Sequence, residues 1–111
     1  MAQNRRGKQS IQFIGTSVIT HWASVAGKKE GSGPLKNNFD LVYKDAYFGE
    51  KTWEQGEKKL QQLALQTLVS KAKLQLSDID LVCSGDLLNQ CIGSSFCLRN
   101  QPLPHLGLYG A

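Results

Sequence analysis

Residues 52–73, which read TWEQGEKKLQQLALQTLVSKAK, carry the clearest secondary-structure signal of the sequence. Its first four residues predict a capping box, with Thr52 as the N-cap residue and Gln55 reaching back to it. Apolar side chains then recur at the three- and four-residue spacing of a helix, in a stripe wide enough to predict burial on more than one side. Acidic residues near the start and lysines near the end match the helix dipole. We therefore predict a helix of about 20 residues here.

Two short strands and a second helix are predicted after this segment. Residues 79–84, IDLVCS, predict a strand that is apolar on both faces at its centre, as in a parallel sheet. A second helix is predicted from about residue 90 to residue 100, where two prolines stop it. Residues 106–109 predict another buried strand.

The residues before the long helix are less regular. Residues 10–19 predict a strand with a bulge or bend at Gly15, and the glycine-rich residues 23–38 predict a long loop. The predicted order is therefore β, loop, α, β, α, β. This alternation indicates the α/β class, with right-handed crossovers between parallel strands.

Composition bounds the class of protein. The chain has 111 residues and a formal net charge of +4. This length corresponds to one domain, for which a folded surface of roughly 6,100 Å² is expected. No apolar run is long enough for a transmembrane helix, and no secretory signal peptide is predicted. Three cysteines without such a signal favour reduced thiols in a cytosolic-type compartment.

Positive charge is concentrated near the N-terminus. Residues 1–44 contain seven Lys or Arg and two acids, a balance of +5. Two interpretations stay open: contact with an acidic surface such as anionic lipid or nucleic acid, or a solvated tail followed by a polar loop. No aromatic residue lies between Arg5 and Lys8, so a platform for single-stranded nucleic acid is not indicated.

Two common kinds of site are poorly supported. The glycines of residues 27–33 match neither nucleotide-binding loop pattern. The spacing of Cys83, Cys91 and Cys97 does not suit a closed zinc site. We expect Cys83 to be a small core residue on a strand, and Cys91 and Cys97 to lie at the start of the second helix and within it.

The best candidate site is residues 84–90, SGDLLNQ, at the carboxyl end of a predicted parallel strand. Ligands of open α/β sheets bind at such ends. The segment offers a carboxylate, Asp86, and two carboxamides, Asn89 and Gln90. The alternative is structural: Asp86 braces the next turn and Asn89 caps the helix. The residues alone leave both interpretations open.

Several separated segments together resemble the stage V sporulation protein AD family. The resemblance runs from about residue 8 to the last residue, and its most distinctive parts are GDLLNQ and the KEGSGPL loop. The segments that carry it are residues 27–35, 39–43, 53–54, 78–80, 84–90 and 107–111.

The resemblance implies the N-terminal part of a thiolase-like layered α/β fold, of two related halves usually paired as a homodimer. Residues 1–9 would be a basic flexible N-terminus. Residues 10–111 would be a partial domain that ends before the position of the nucleophile elbow. No catalytic residue and no catalysis are therefore expected. The alternative is an N-terminal fragment of a thiolase or ketoacyl-synthase type of condensing enzyme.

The implied function is binding of dipicolinic acid in the uptake and release apparatus of bacterial spores. Partners would be other proteins of the same channel complex, with peripheral association at the inner spore membrane and no nucleic acid. By position, Asp86, Asn89 and Gln90 are the expected ligand-binding residues. Because Asp86 and a dicarboxylate repel, a bridging calcium ion or a protonated partner would be needed there. Tyr109 either lines the same region or fills the sheet, and filling is favoured.

Overall fold

The computed structural model describes residues 5–88 and 91–109, and it is of the α/β class, as predicted. Its strands form three separate pairs, two parallel and one antiparallel. Short 3-10 turns lie at Glu30–Ser32 and Leu76–Asp78. In chain order the elements are β1 (Arg5–Arg6), β2 (Ser10–Ile11), β3 (Val25–Ala26), β4 (Leu41–Val42), α1 (Trp53–Ala72), β5 (Val82–Gly85), α2 (Ile92–Leu98) and β6 (His105–Leu108).

The long helix α1 confirms the predicted helix and its N-cap residue, Thr52. The Thr52 hydroxyl accepts a hydrogen bond from the Gln55 backbone N–H at 3.2 Å, which satisfies one of the free donors of the first turn. The helix ends at Lys73, whose left-handed backbone closes the last turn. Gly56 is the only buried residue of α1, whereas residues 57–65 are all half-buried, so the helix is partly covered on more than one side.

Strands β5 and β6 form the longest pair, parallel as predicted, in a register from Val82 opposite His105 to Gly85 opposite Leu108. Alternate residues of both strands are half-buried, and the others are exposed. Cys83 is on the exposed face, so its assignment to the core is wrong. The period of two in a strand sends Cys83 to the face opposite Val82, and that face is uncovered within the described residues.

The predicted strand over residues 10–19 is wrong beyond residue 11, because only β2 forms, antiparallel to β1. A strand is stable only when a neighbour satisfies its backbone groups, and residues 12–24 form no strand pair. Ile14 and Ile19 are consequently 81 % and 87 % exposed. The predicted loop over residues 23–38 contains β3, which pairs in parallel with β4.

The chain as a whole is more open than its mass predicts. Its accessible surface is 8,860 Å², against the roughly 6,100 Å² expected for a complete domain of this size. The radius of gyration is 15.9 Å, against about 13 Å expected. These dimensions are those of an incomplete α/β fold. Among the residues that the structure describes, the buried apolar ones are Ala26, Phe48, Cys91, Cys97 and Leu98.

Candidate functional site

Asp86 follows β5 directly and lies at the point where β5, α1 and α2 meet. It is only 4 % exposed. Its Oδ1 atom accepts a hydrogen bond from the Gln61 side chain of α1 at 3.1 Å and another from the Ser94 backbone N–H of α2 at 2.9 Å. Cys91, the N-cap residue of α2, makes no side-chain capping bond. Asp86 therefore caps α2 from outside the helix, a part that the structural interpretation of the sequence assigned to Asn89, which lies outside the described residues.

The surroundings of Asp86 keep its carboxylate ionised. Burial is the largest influence and raises the pKa, but hydrogen bonds from Ser94, Gln61 and the Gly93 backbone together outweigh it. The pKa of Asp86 is therefore below its ordinary value of 3.8. Asp86 Oδ2 and Ser94 Oγ are both buried, and neither makes a hydrogen bond of standard geometry. The Ser94 side chain nevertheless lowers the pKa of Asp86 and so favours its ionised form.

Glu57 holds the residues that follow Asp86. Its Oε1 accepts from the Leu87 backbone N–H at 2.6 Å, and its Oε2 accepts from that of Leu88 at 3.3 Å. Glu57 is not among the predicted site residues; it is one of the acidic residues near the start of α1 that match the helix dipole. A signal was present, because Glu57 and Gln61 are four residues apart and share one face of α1. The segment after β5 is thus bonded to α1 at consecutive residues.

Gly93 lies against this polar cluster. A Cβ atom at position 93 would be 3.4 Å from Asp86 Oδ2, 3.5 Å from Gln61 Nε2 and 3.5 Å from Glu57 Oε2. The two carboxylates and the amide therefore converge on the first turn of α2. Nowhere in residues 5–88 and 91–109 do three or more His, Cys, Asp or Glu side chains form a group that could hold a metal ion.

The two predicted carboxamides, Asn89 and Gln90, lie outside the described residues. Along the chain they connect Leu88, which Glu57 holds, to Cys91, which begins the helix that Asp86 caps. The backbone on both sides of the two carboxamides is therefore fixed. We call residues 86–90 the junction segment.

Tyr109 lies at the same end of the β5–β6 pair but does not fill the sheet. It is 70 % exposed, so the favoured prediction is wrong. Its side chain shares a hydrogen bond with Cys91, which raises the pKa of Tyr109. Cys91 is itself buried, with its Sγ 3.8 Å from the Leu108 carbonyl oxygen. A Cβ at Gly107 would approach this Sγ to 2.5 Å, so the start of α2 packs directly on the backbone of β6.

Within the part of the chain that the structure describes, no helix combines the length and the hydropathy that a membrane span requires.

Comparison with known proteins shows which family the chain is similar to. Residues 7–111 match the stage V sporulation protein AD family. The stage V sporulation protein AD of Bacillus subtilis (strain 168) is 35 % identical over 105 residues, which cover 95 % of this chain and 31 % of the relative. The chain spans less than a third of the length of this curated relative, and it belongs to the stage V sporulation protein AD family, a family of sporulation proteins.

Proposed function

We propose that the chain is part of a protein that binds dipicolinic acid without catalysis, in the apparatus that moves this compound into and out of the spore. Membership of a sporulation family supports the biological setting. The proposed partners are other proteins of the same channel complex, at the inner spore membrane. In the longer protein a homodimer is proposed.

The observation that carries the proposal is the bracing of the junction segment from both sides. Glu57 and Asp86 direct their carboxylates to backbone N–H groups of the protein. These anions are therefore already compensated, which reduces their repulsion of a dicarboxylate. Asn89 and Gln90 contribute N–H donors, and such donors match carboxylate oxygens.

We assign the three predicted ligand-binding residues different parts in this site. Asn89 and Gln90 contact the carboxylates of dipicolinate, and Asp86 acts as a positioning residue that holds the segment on α1 and α2. The buried state of Asp86 supports this division, because only 4 % of the residue is exposed. A calcium ion bridging Asp86 and the ligand is the alternative, which requires Asp86 to turn outward.

Calorimetric titration of dipicolinate, with and without calcium, tests the proposal. The double variant Asn89→Ala/Gln90→Ala should weaken binding about a hundredfold, since two hydrogen bonds to a charged ligand are lost. The matched control is Asn37→Ala/Asn38→Ala, which removes two exposed carboxamides from a distant turn. Binding that is the same in both double variants would contradict the proposal. Binding that requires calcium and is lost in Asp86→Asn would favour the bridging alternative.

A further inference from the structure

A cleft opens at the carboxyl ends of β3 and β4, far along the chain from the junction segment. The register of this parallel pair sets Ala26 opposite Val42. Two residues beyond each strand end are Lys28 and Lys44, which both line a cavity of about 270 Å³. Ligands bind characteristically at the carboxyl ends of parallel strands. The other residues that line the cavity are Gly31, Ser32, Val42 and Tyr43.

Short-range contacts fix the walls of the cleft. The Tyr43 backbone N–H donates to the Ala26 carbonyl oxygen at 2.9 Å, which extends the ladder beyond the strands. The Ser32 hydroxyl donates to the Lys28 carbonyl oxygen at 3.2 Å and closes the turn that carries this lysine. A Cβ at Gly31 would collide with the Val42 side chain. The loop backbone therefore lies directly on β4.

The charge of the cleft is uncompensated by its own lining. None of the six lining residues is acidic, and two are lysines. The nearby Asp45 accepts a hydrogen bond from the Gly49 backbone N–H at 2.8 Å and is turned to that loop. Residues 1–44 carry a formal balance of +5 along the sequence, and Glu30 of the adjoining 3-10 turn is not among the residues that line the cavity. An anion between Lys28 and Lys44 would relieve their mutual repulsion.

We propose that this cleft binds a phosphate group, supplied either by a small phosphate compound or by a phospholipid headgroup. Lysine ammonium groups act as point charges toward phosphate and need no bidentate geometry. Ser32 and Tyr43 line the same cavity, but the Ser32 hydroxyl already donates to the Lys28 carbonyl oxygen, so the two lysines are the groups that would bind the phosphate. The site does not depend on the dipicolinate proposal, because it shares no residue with the junction segment.

Titration of the chain with inorganic phosphate tests the site, and sedimentation with phosphatidylglycerol or phosphatidylcholine vesicles identifies the source. Lys28→Gln and Lys44→Gln should each weaken binding of the phosphate probe about fivefold, as expected for loss of one partly exposed charge. The control is Lys29→Gln, which removes the neighbouring lysine that does not line the cavity. Circular dichroism of each variant checks that the fold is retained.

The phosphate proposal and the dipicolinate proposal can be contradicted independently of each other. Asn89→Ala/Gln90→Ala should bind phosphate as the unmodified chain does, and Lys28→Gln should still bind dipicolinate. Binding of phosphate alone or of anionic vesicles, lost in the Lys28 and Lys44 variants, supports the proposal and names the source. Absence of binding to both probes, or an equal loss in Lys29→Gln, would overturn it, since equal loss means a diffuse charge effect.

Discussion

The region from α1 to β6 and the region before α1 are held together by different interactions. In the first, four residue pairs join β5 to β6, and the buried Asp86 bonds to both helices. In the second, each strand pair has only two residue pairs. Its link to α1 includes the ion pair of Asp40 with Lys71 at 2.7 Å, both partly exposed.

This difference indicates where stability and binding reside. Exposed ion pairs contribute little to the free energy of unfolding, whereas buried charge-assisted hydrogen bonds contribute more. The region from α1 to β6 therefore supplies a scaffold on which Asp86, Leu87 and Leu88 are held. The earlier region contributes the lysine cleft but leaves many apolar side chains exposed, among them Phe13, Ile14, Val18, Ile19 and Trp22.

The largest expected effect comes from removing the brace between α1 and α2. Asp86→Ala should lower the free energy of unfolding by about 3 kcal/mol, because two charge-assisted hydrogen bonds are lost and a buried N–H is left unpaired. Urea denaturation followed by circular dichroism measures this. Asp80→Ala, at an exposed acid before β5, should change the value by about 0.5 kcal/mol or less. Equal effects would mean that Asp86 is not a brace.

Acid should weaken the same brace. The folded-state pKa of Asp86 is below its ordinary 3.8, so its stabilising contribution is present above that value and is lost as the pH falls through the folded pKa. The free energy of unfolding should therefore fall less steeply below about pH 5 in Asp86→Asn than in the unmodified chain. Identical slopes in the two proteins would show that Asp86 is not stabilised as an anion.

A smaller effect is expected where the 45–49 loop presses on α1. A Cβ at Gly56 would lie 2.9 Å from the Tyr47 carbonyl oxygen. Gly56→Ala gains about 1 kcal/mol of helix propensity but forces the backbone apart at a cost of up to about 3 kcal/mol. We expect net destabilisation by about 1 kcal/mol. Gly15→Ala, with no atom within 4 Å of its Cβ, is the control; a stabilised Gly56→Ala would refute the contact.

The smallest effect on stability is expected in the exposed region before β3. Ile19→Ser should change the free energy of unfolding by less than about 0.5 kcal/mol, because Ile19 is 87 % exposed. The same change should raise the concentration at which the chain stays unaggregated, since it removes part of an exposed apolar surface. Light scattering measures the second quantity. A large loss of stability would show that Ile19 is buried in solution.

Helix α1 is predicted correctly because nearby residues specify it. The cap at Thr52 and the apolar period define α1 without help from distant parts of the chain. The strand near residue 10 was overestimated because its β-branched residues favour a strand, but no partner strand pairs with residues 12–24. Cys83 was misplaced for a related reason, since burial of a strand face depends on what covers it.

The sequence predicts the place of Asp86 in the fold but not the direction in which its carboxylate points. A carboxylate at the end of a parallel strand was a sound prediction, and Asp86 is there. Its inward direction and the role of Glu57 depend on how α1 packs beside the junction segment. The sequence shows that Glu57 and Gln61 share one face of α1, but it does not specify which segment packs against that face, because the contacts join residues 25 and 30 positions apart.

Nuclear magnetic resonance of the isotopically labelled chain, titrated with dipicolinate, shows which residues the ligand contacts. Binding at the junction segment should shift the backbone amide signals of that segment and of the first turn of α2, including Leu87, Leu88 and Ser94, and leave the signals of residues 12–24 unchanged. The absence of shifts at the junction segment, or shifts confined to residues before α1, would rule out dipicolinate binding there.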